Sequence, residues 1–258
     1  MTWEEACARV AYTPRNRDSI GKLQEKTVHA VCKYYLEENE AYHEVKVEGL
    51  VADICRADGS IVEVQTRNFD KLRAKLRRFL PEHAVEVIYP MPFEKWVIWM
   101  DEDGALSEPR KSPKKGKPVE ACYELWRIKE FLDDPNLTVR LLLFDVEEYR
   151  LLNGWSKDKK HGSTRYDRVP RKLREEIVLH GFSDYREAFV PVFTFPEEFT
   201  AKEFQKANHM TQKRASYALG FLREIGVVTQ VGMRGKAYVY RRSEDGASVC
   251  HDGKVCDR

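Results

Sequence analysis

Between residues 43 and 66 apolar and polar positions alternate, which predicts three short strands. From His43 to Glu48, Val45 and Val47 share one side, and Glu44, Lys46 and Glu48 form the wet face of the sheet's first strand. From Leu50 to Cys55, Leu50, Ala52 and Ile54 oppose Val51, Asp53 and Cys55. From Ile61 to Thr66, Val62, Val64 and Thr66 oppose Ile61, Glu63 and Gln65. Helical spacing brackets this stretch. Asp18 or Ser19 caps a helix running to about Glu38, with Ile20, Leu23, Thr27, Val31 and Tyr34 as its apolar stripe. Phe69, Leu72, Leu76 and Phe79 face inward from a second helix, which Pro81 stops. Ala84–Tyr89 and Lys95–Met100 read as two more strands. A helix from Val119 to Leu132 and a strand from Thr138 to Val146 follow, and could extend this sheet.

The last third has clearer punctuation. Thr200-Ala201-Lys202-Glu203 is a capping box opening a short helix. Thr211 caps a second helix, Gln212 to Ile225, which Gly226 stops. Val227–Val231, the turn Gly232-Met233-Arg234-Gly235 and Lys236–Arg241 read as a hairpin. Residues 1–18 read as a loose leader, and residues 243–258 as a polar, unstructured tail.

Composition excludes more than it selects. The 258 residues have room for about two domains, and a net charge of +2 names no partner. Six cysteines without a disulfide-framework spacing fit a reducing, cytoplasmic compartment. Cys250, His251 and Cys256 lack a fourth ligand for a zinc site. No apolar run is long enough to span a bilayer, so the expectation is a soluble intracellular protein. Nothing matches a nucleotide-phosphate loop or a serine triad.

The chemistry sits at the turn between the second and third strands. A two-residue Asp58-Gly59 loop would pair Ile54 with Glu63 and send Asp53 to the other face. A three-residue loop, Ala57-Asp58-Gly59, with Gly59 at positive φ, pairs Asp53 directly with Glu63. Carboxylates side by side repel unless a proton or a cation joins them, and oxygen donors of this kind suit magnesium. Glu25 lies four residues before His29 on the leading helix, as a further acid for the site or as half of a solvated pair.

The order strand–Asp53–turn–strand–Glu63-Val64-Gln65 resembles the PD-(D/E)XK, restriction-endonuclease-like nuclease superfamily. Helix, three strands, helix and strand follow one another over roughly residues 19–100, as in that superfamily's core. The resemblance implies that Asp53, Glu63 and the Val64 carbonyl hold Mg²⁺ (or Mn²⁺), that Gln65 positions the attacking water, and that Glu25 is an additional acid. Two positions depart from the pattern: Ala52 stands where Pro is common, and Gln65 where Lys is usual, which removes a charge. The C-terminal helix, turn, helix and basic-tipped hairpin resemble a winged helix-turn-helix domain over residues 195–242. By that resemblance Gln212, Lys213, Arg214, Ser216 and Tyr217 read DNA, and Arg234 and Lys236 contact phosphate. Such domains also dock proteins.

Basic segments add to the DNA reading. Arg67 and the Lys71–Arg78 helix flank the acids, and Arg110–Lys117 is a linker or a phosphate-contacting loop. From Arg150 to Arg174, Lys157, Lys159, Lys160 and Arg165 are interleaved with Trp155 and Tyr166. The expected architecture is an α/β restriction-endonuclease-like core, with a mixed sheet flanked by helices, at residues 19–150. A basic connecting segment at 151–194 and the winged helix at 195–242 follow. The expected function is a magnesium-dependent DNA endonuclease. The alternatives are an inactive DNA-binding regulator or scaffold on the same fold, or a transposase-type endonuclease subunit whose winged helix docks a protein. A homodimer is a further possible partner; a membrane is not.

Overall fold

Trp3, Ala6 and Val10 recur at helical spacing and are buried, so the segment expected to be a leader instead forms helix α1, Trp3–Tyr12. The polar run after it misled the reading. The computed structural model describes residues 1–12, 27–101, 103–154, 162–189 and 196–243. Among them are helix α2 (Thr27–Leu36) and strands β1 (His43–Val47), β2 (Leu50–Cys55) and β3 (Ile61–Val64). Helix α3 (Leu72–Phe79) leads to strand β4 (Val85–Met100) and the short β5 (Arg110–Lys111). After the short helix α4 (Cys122–Leu125) come the long strands β6 (Leu137–Leu151) and β7 (Thr164–Leu179). Helix α5 (Gly181–Phe189), strand β8 (Glu198–Thr200), helices α6 (Ala201–Ala207) and α7 (Gln212–Glu224), and strands β9 (Val228–Arg234) and β10 (Ala237–Arg242) complete the order.

The protein is a mixed α/β fold. Seven strands form one sheet in the order β1-β2-β3-β4-β6-β7, with β5 on β4. β1, β2 and β3 run antiparallel, and β3 lies parallel to β4 from Ile61 against Val85 to Val64 against Ile88. A parallel neighbour needs a crossover, and the segment carrying α3 supplies it. Trp3, Val31, Ile54, Val62, Val64, Ile88, Phe144 and Val146 meet in the core beneath α1 and α2. Among the described residues no helix is long and apolar enough to cross a membrane.

Three expectations need correction. β4 is one strand, not two, and runs through Pro90 and Pro92. The prolines are two residues apart, so both missing N–H groups fall on one side of the strand. Residues 151–194 are not a mere connection, since they hold all of β7 and all of α5. β7 is polar because it is an edge strand whose arginines pair with carboxylates instead of burying apolar side chains. Val119 to Leu132, expected as one helix, falls instead in short helical turns spanning 118–131, with a kink at Ile128.

By contacts the chain divides into two units that interleave in sequence. One comprises Met1–Thr66, Glu82–Gly116 and Arg140–Ile177; the other Arg67–Pro81, Lys117–Val139 and Val178–Arg258. In the second unit the Thr200–Glu203 capping box opens α6, and Thr211 caps α7 through the Arg214 N–H. A three-stranded sheet in the order β8-β10-β9 closes against these helices, with Phe199 stacked on Phe204 and Tyr240. Phe221 of α7 receives the ring edges of Tyr185 and Phe189 from α5.

Candidate functional site

The turn after β2 takes the three-residue form. Gly59 N–H donates to Arg56 O and Arg56 N–H to Ser60 O, both at 2.9 Å, with Gly59 at φ +82°. Cys55 therefore faces Ile61, and Ile54 faces Val62. The paired register ends there; carried one step further, strand alternation brings Asp53 opposite Glu63 on one face. Gln65, two residues on, shares that face. The Glu63 side chain is buried at 2% exposure, while Asp53 keeps 14%.

Strand alternation fixes the Asp53 carboxylate. Ile61 and Gln65 turn their N–H groups to β4, donating to Ala84 O and Ile88 O. Val64 must then turn its amide to β2, where it donates to Asp53 Oδ2 at 2.7 Å. His29 Nε2 of α2 lies 3.1 Å from the same oxygen. By spacing alone His29 falls beside Glu25, roughly opposite the apolar stripe of the leading helix. Its spacing from Val31 and Tyr34 was visible, but the packing of α2 over β2 was not. One turn on, buried Lys33 donates to Glu44 Oε1 at 2.6 Å, while Glu44, Lys46 and Glu48 stay exposed as the alternation predicts. Glu44 holds a left-handed φ of 53°.

The other expected residues are scattered. Glu25, Lys157, Lys159 and Lys160 lie outside the described residues. Arg67 is exposed at the start of the segment leading to α3. Arg165 Nε sits 3.5 Å from Glu148. In the basic loop, Lys111 and Lys115 clamp Glu94 at 2.9 Å each, and these hydrogen bonds hold its carboxyl at about 2. Among the described residues, no group of three or more His, Cys, Asp and Glu side chains is arranged to hold a metal ion.

On α7, Gln212, Lys213, Arg214 and Ser216 are exposed and Tyr217 is half-buried; Arg214 and Tyr217 reach the helical turns at 118–131. The Tyr217 and Tyr123 rings are 5.1 Å apart, and the Arg214 guanidinium lies over Tyr123 and 3.8 Å from Glu120. These two of the five expected reading residues are engaged within the chain. Arg234 lies 3.4 Å from Glu203, and Lys236 is exposed at the hairpin tip.

Residues 26–180 match the family described as Domain of unknown function (DUF8091). The chain belongs to this family. The match takes in Asp53, Glu63 and Gln65 and ends before α5. A relative in Treponema pallidum (strain Nichols), named "Uncharacterized protein", is 31% identical over 232 residues, covering 88% of this chain and 89% of its own. No solved structure matches.

Proposed function

We propose that this DUF8091 protein is a metal-dependent nuclease that hydrolyses phosphodiester bonds in DNA. The observation that carries the reading is the antiparallel register of Ile54 with Val62 and Cys55 with Ile61, which, carried one step further, brings Asp53 opposite Glu63. The order α2-β1-β2-β3-α3-β4, with β3 and β4 parallel, supports a restriction-endonuclease-like core. The C-terminal α6-α7 pair with its basic-tipped hairpin supports a winged helix.

The donors present suit a hard divalent cation. Asp53 and Glu63 offer carboxylate oxygens, and Val64, whose amide points to β2, turns its carbonyl to the same side. When bound there, Mg²⁺ or Mn²⁺ would polarise the scissile phosphate and lower the pKa of the attacking water. The chain's own groups prepare that site. The Val64 N–H and His29 fix Asp53 Oδ2, as outer partners of a metal ligand do. Gln65 orients water without adding charge.

Incubating plasmid and branched DNA with wild type, Asp53→Ala, Gln65→Ala and Gln65→Lys, with and without Mg²⁺ or Mn²⁺, tests this. Wild type should nick in a metal-dependent way, Asp53→Ala should not, and Gln65→Ala should keep a slow rate. No cleavage by wild type on any substrate, together with tight DNA binding, would leave the non-catalytic DNA-binding reading in its place. A second reading, in which the C-terminal unit docks a protein, is favoured by the engagement of Arg214 and Tyr217 with Tyr123.

A further inference from the structure

Five charged side chains from three strands of the first unit converge away from the acids already described. Glu148 on β6 is 1% exposed, and four cations share its carboxylate. Arg150 Nη1 lies 2.8 Å and Lys95 Nζ 3.7 Å from Oε1, while Arg168 Nε lies 3.0 Å and Arg165 Nε 3.5 Å from Oε2. Burial pushes the Glu148 carboxyl up, yet Arg168, Lys95 and Arg165 outweigh it and hold the group below its ordinary range. Lys95 is shifted down, first by burial and then by Arg168, Arg150 and Arg165, against the pull of Glu148. The cluster therefore carries more positive charge than its one carboxylate balances.

The geometry divides the labour. Arg150 is filled on both edges, by Glu148 and by Ser163 Oγ and O at 3.0 and 3.2 Å, and acts as scaffold. Arg165 and Arg168 approach Glu148 through Nε and remain 41% and 29% exposed; Lys95 remains 30% exposed. Guanidiniums held in fixed orientation with an outward side accessible are suited to the oxygens of a phosphate. We propose that Lys95, Arg165 and Arg168, held on Glu148 and braced by Arg150, bind a phosphate of a nucleic-acid backbone. This rests on the nuclease reading for the source of the phosphate, and extends it to where the backbone is held.

The test measures binding without cleavage. Fluorescence anisotropy of a labelled DNA duplex is read in EDTA across a salt series for wild type, Arg165→Gln, Arg168→Gln, Arg165→Lys and the distant, exposed Lys46→Gln. Each Gln variant should weaken binding several-fold and lower the slope of log K against log salt by about 0.9, the value of one phosphate contact. Arg165→Lys should keep the slope, and Lys46→Gln should leave it unchanged. The proposal is overturned if wild type does not bind in EDTA, if the Gln variants keep the wild-type slope, or if Arg165→Lys or Lys46→Gln loses as much. It also falls if inorganic phosphate displaces the duplex where chloride of equal ionic strength does not, since the site would then take free phosphate. Because metal is absent, failure of wild type to cleave in the separate nicking assay would remove the nuclease reading and leave this site standing.

Discussion

Asp53 serves the fold and the proposed chemistry through one carboxylate, and two substitutions separate these roles. The Val64 N–H, on a residue only 3% exposed, donates to Asp53 Oδ2 at 2.7 Å. Asp53→Ala leaves that buried amide without this acceptor, a loss of about 1–3 kcal/mol. For a chain of this size that is a fall in Tm on the order of 2–12 °C. Asp53→Asn keeps a carbonyl oxygen where Oδ2 was, which can accept from both the Val64 N–H and His29 Nε2–H. Its stability should therefore stay within ~1 kcal/mol of wild type. The negative charge is gone from both variants, so metal-dependent cleavage should be lost from both.

Denaturant unfolding in EDTA measures the first effect. Repeating it with Mn²⁺ measures the second, because a cation bound only by the folded protein at a hundred times its Kd adds about 2.7 kcal/mol. Wild type should gain stability with Mn²⁺, and neither variant should. If Asp53→Asn unfolds as readily as Asp53→Ala, the Val64 amide is not what Asp53 satisfies. If Asp53→Asn cleaves DNA at the wild-type rate, the carboxylate is not a metal ligand and the catalytic reading fails.

Three further outcomes are expected. Gly116→Ala would put a Cβ 2.0 Å from Pro92 O, a clash with backbone that should destabilise by at least 1–3 kcal/mol in thermal unfolding, whereas at Gly232 nothing lies within 4 Å and Ala should change little. Glu94 is held at about 2 by Lys111 and Lys115, below its ordinary 4.5, so its contribution is present above about pH 4.5 and fades as pH falls toward 2; Glu94→Gln should flatten the stability profile in that window, and an unchanged acid limb would show the pairs are idle. On α7, Tyr217→Ala should lower stability by about 0.5–1.5 kcal/mol through its pairing with Tyr123, while exposed Lys213→Ala should leave unfolding unchanged and weaken DNA binding if this helix touches DNA.

What the sequence made legible follows from how local each determinant is. The β2–β3 register was open between two turns, and Gly59 at positive φ closes it in favour of the three-residue form, a choice made within the turn itself. The α6 and α7 boundaries come from caps that act within one turn of helix, at Thr200, Glu203 and Thr211. β7 was illegible because its pattern reflects partners far away in sequence: Arg168 and Arg174 meet Glu148 and Asp145 on the neighbouring strand. Read alone, that stretch is only a run of cations. The continuity of β4 through two prolines, and the approach of His29 to Asp53, depend in the same way on elements that only the folded chain brings together.

The basic segments show why charge clustering in a sequence is a poor guide to which cations are available to a ligand. Lys111 and Lys115 looked like phosphate contacts, yet both are drawn onto Glu94. Arg171 and Arg174 are likewise drawn onto Glu147 and Asp145. In these places acid and base are matched on facing strands, which gives an edge strand specificity at little gain in field. At Glu148 the arrangement differs: one buried carboxylate is met by four cations. Asp53 and Glu63 lie on the adjoining strands β2 and β3 of the same sheet. Under the proposed nuclease function, these two acids would take a cation and the Glu148 cluster a phosphate of the backbone.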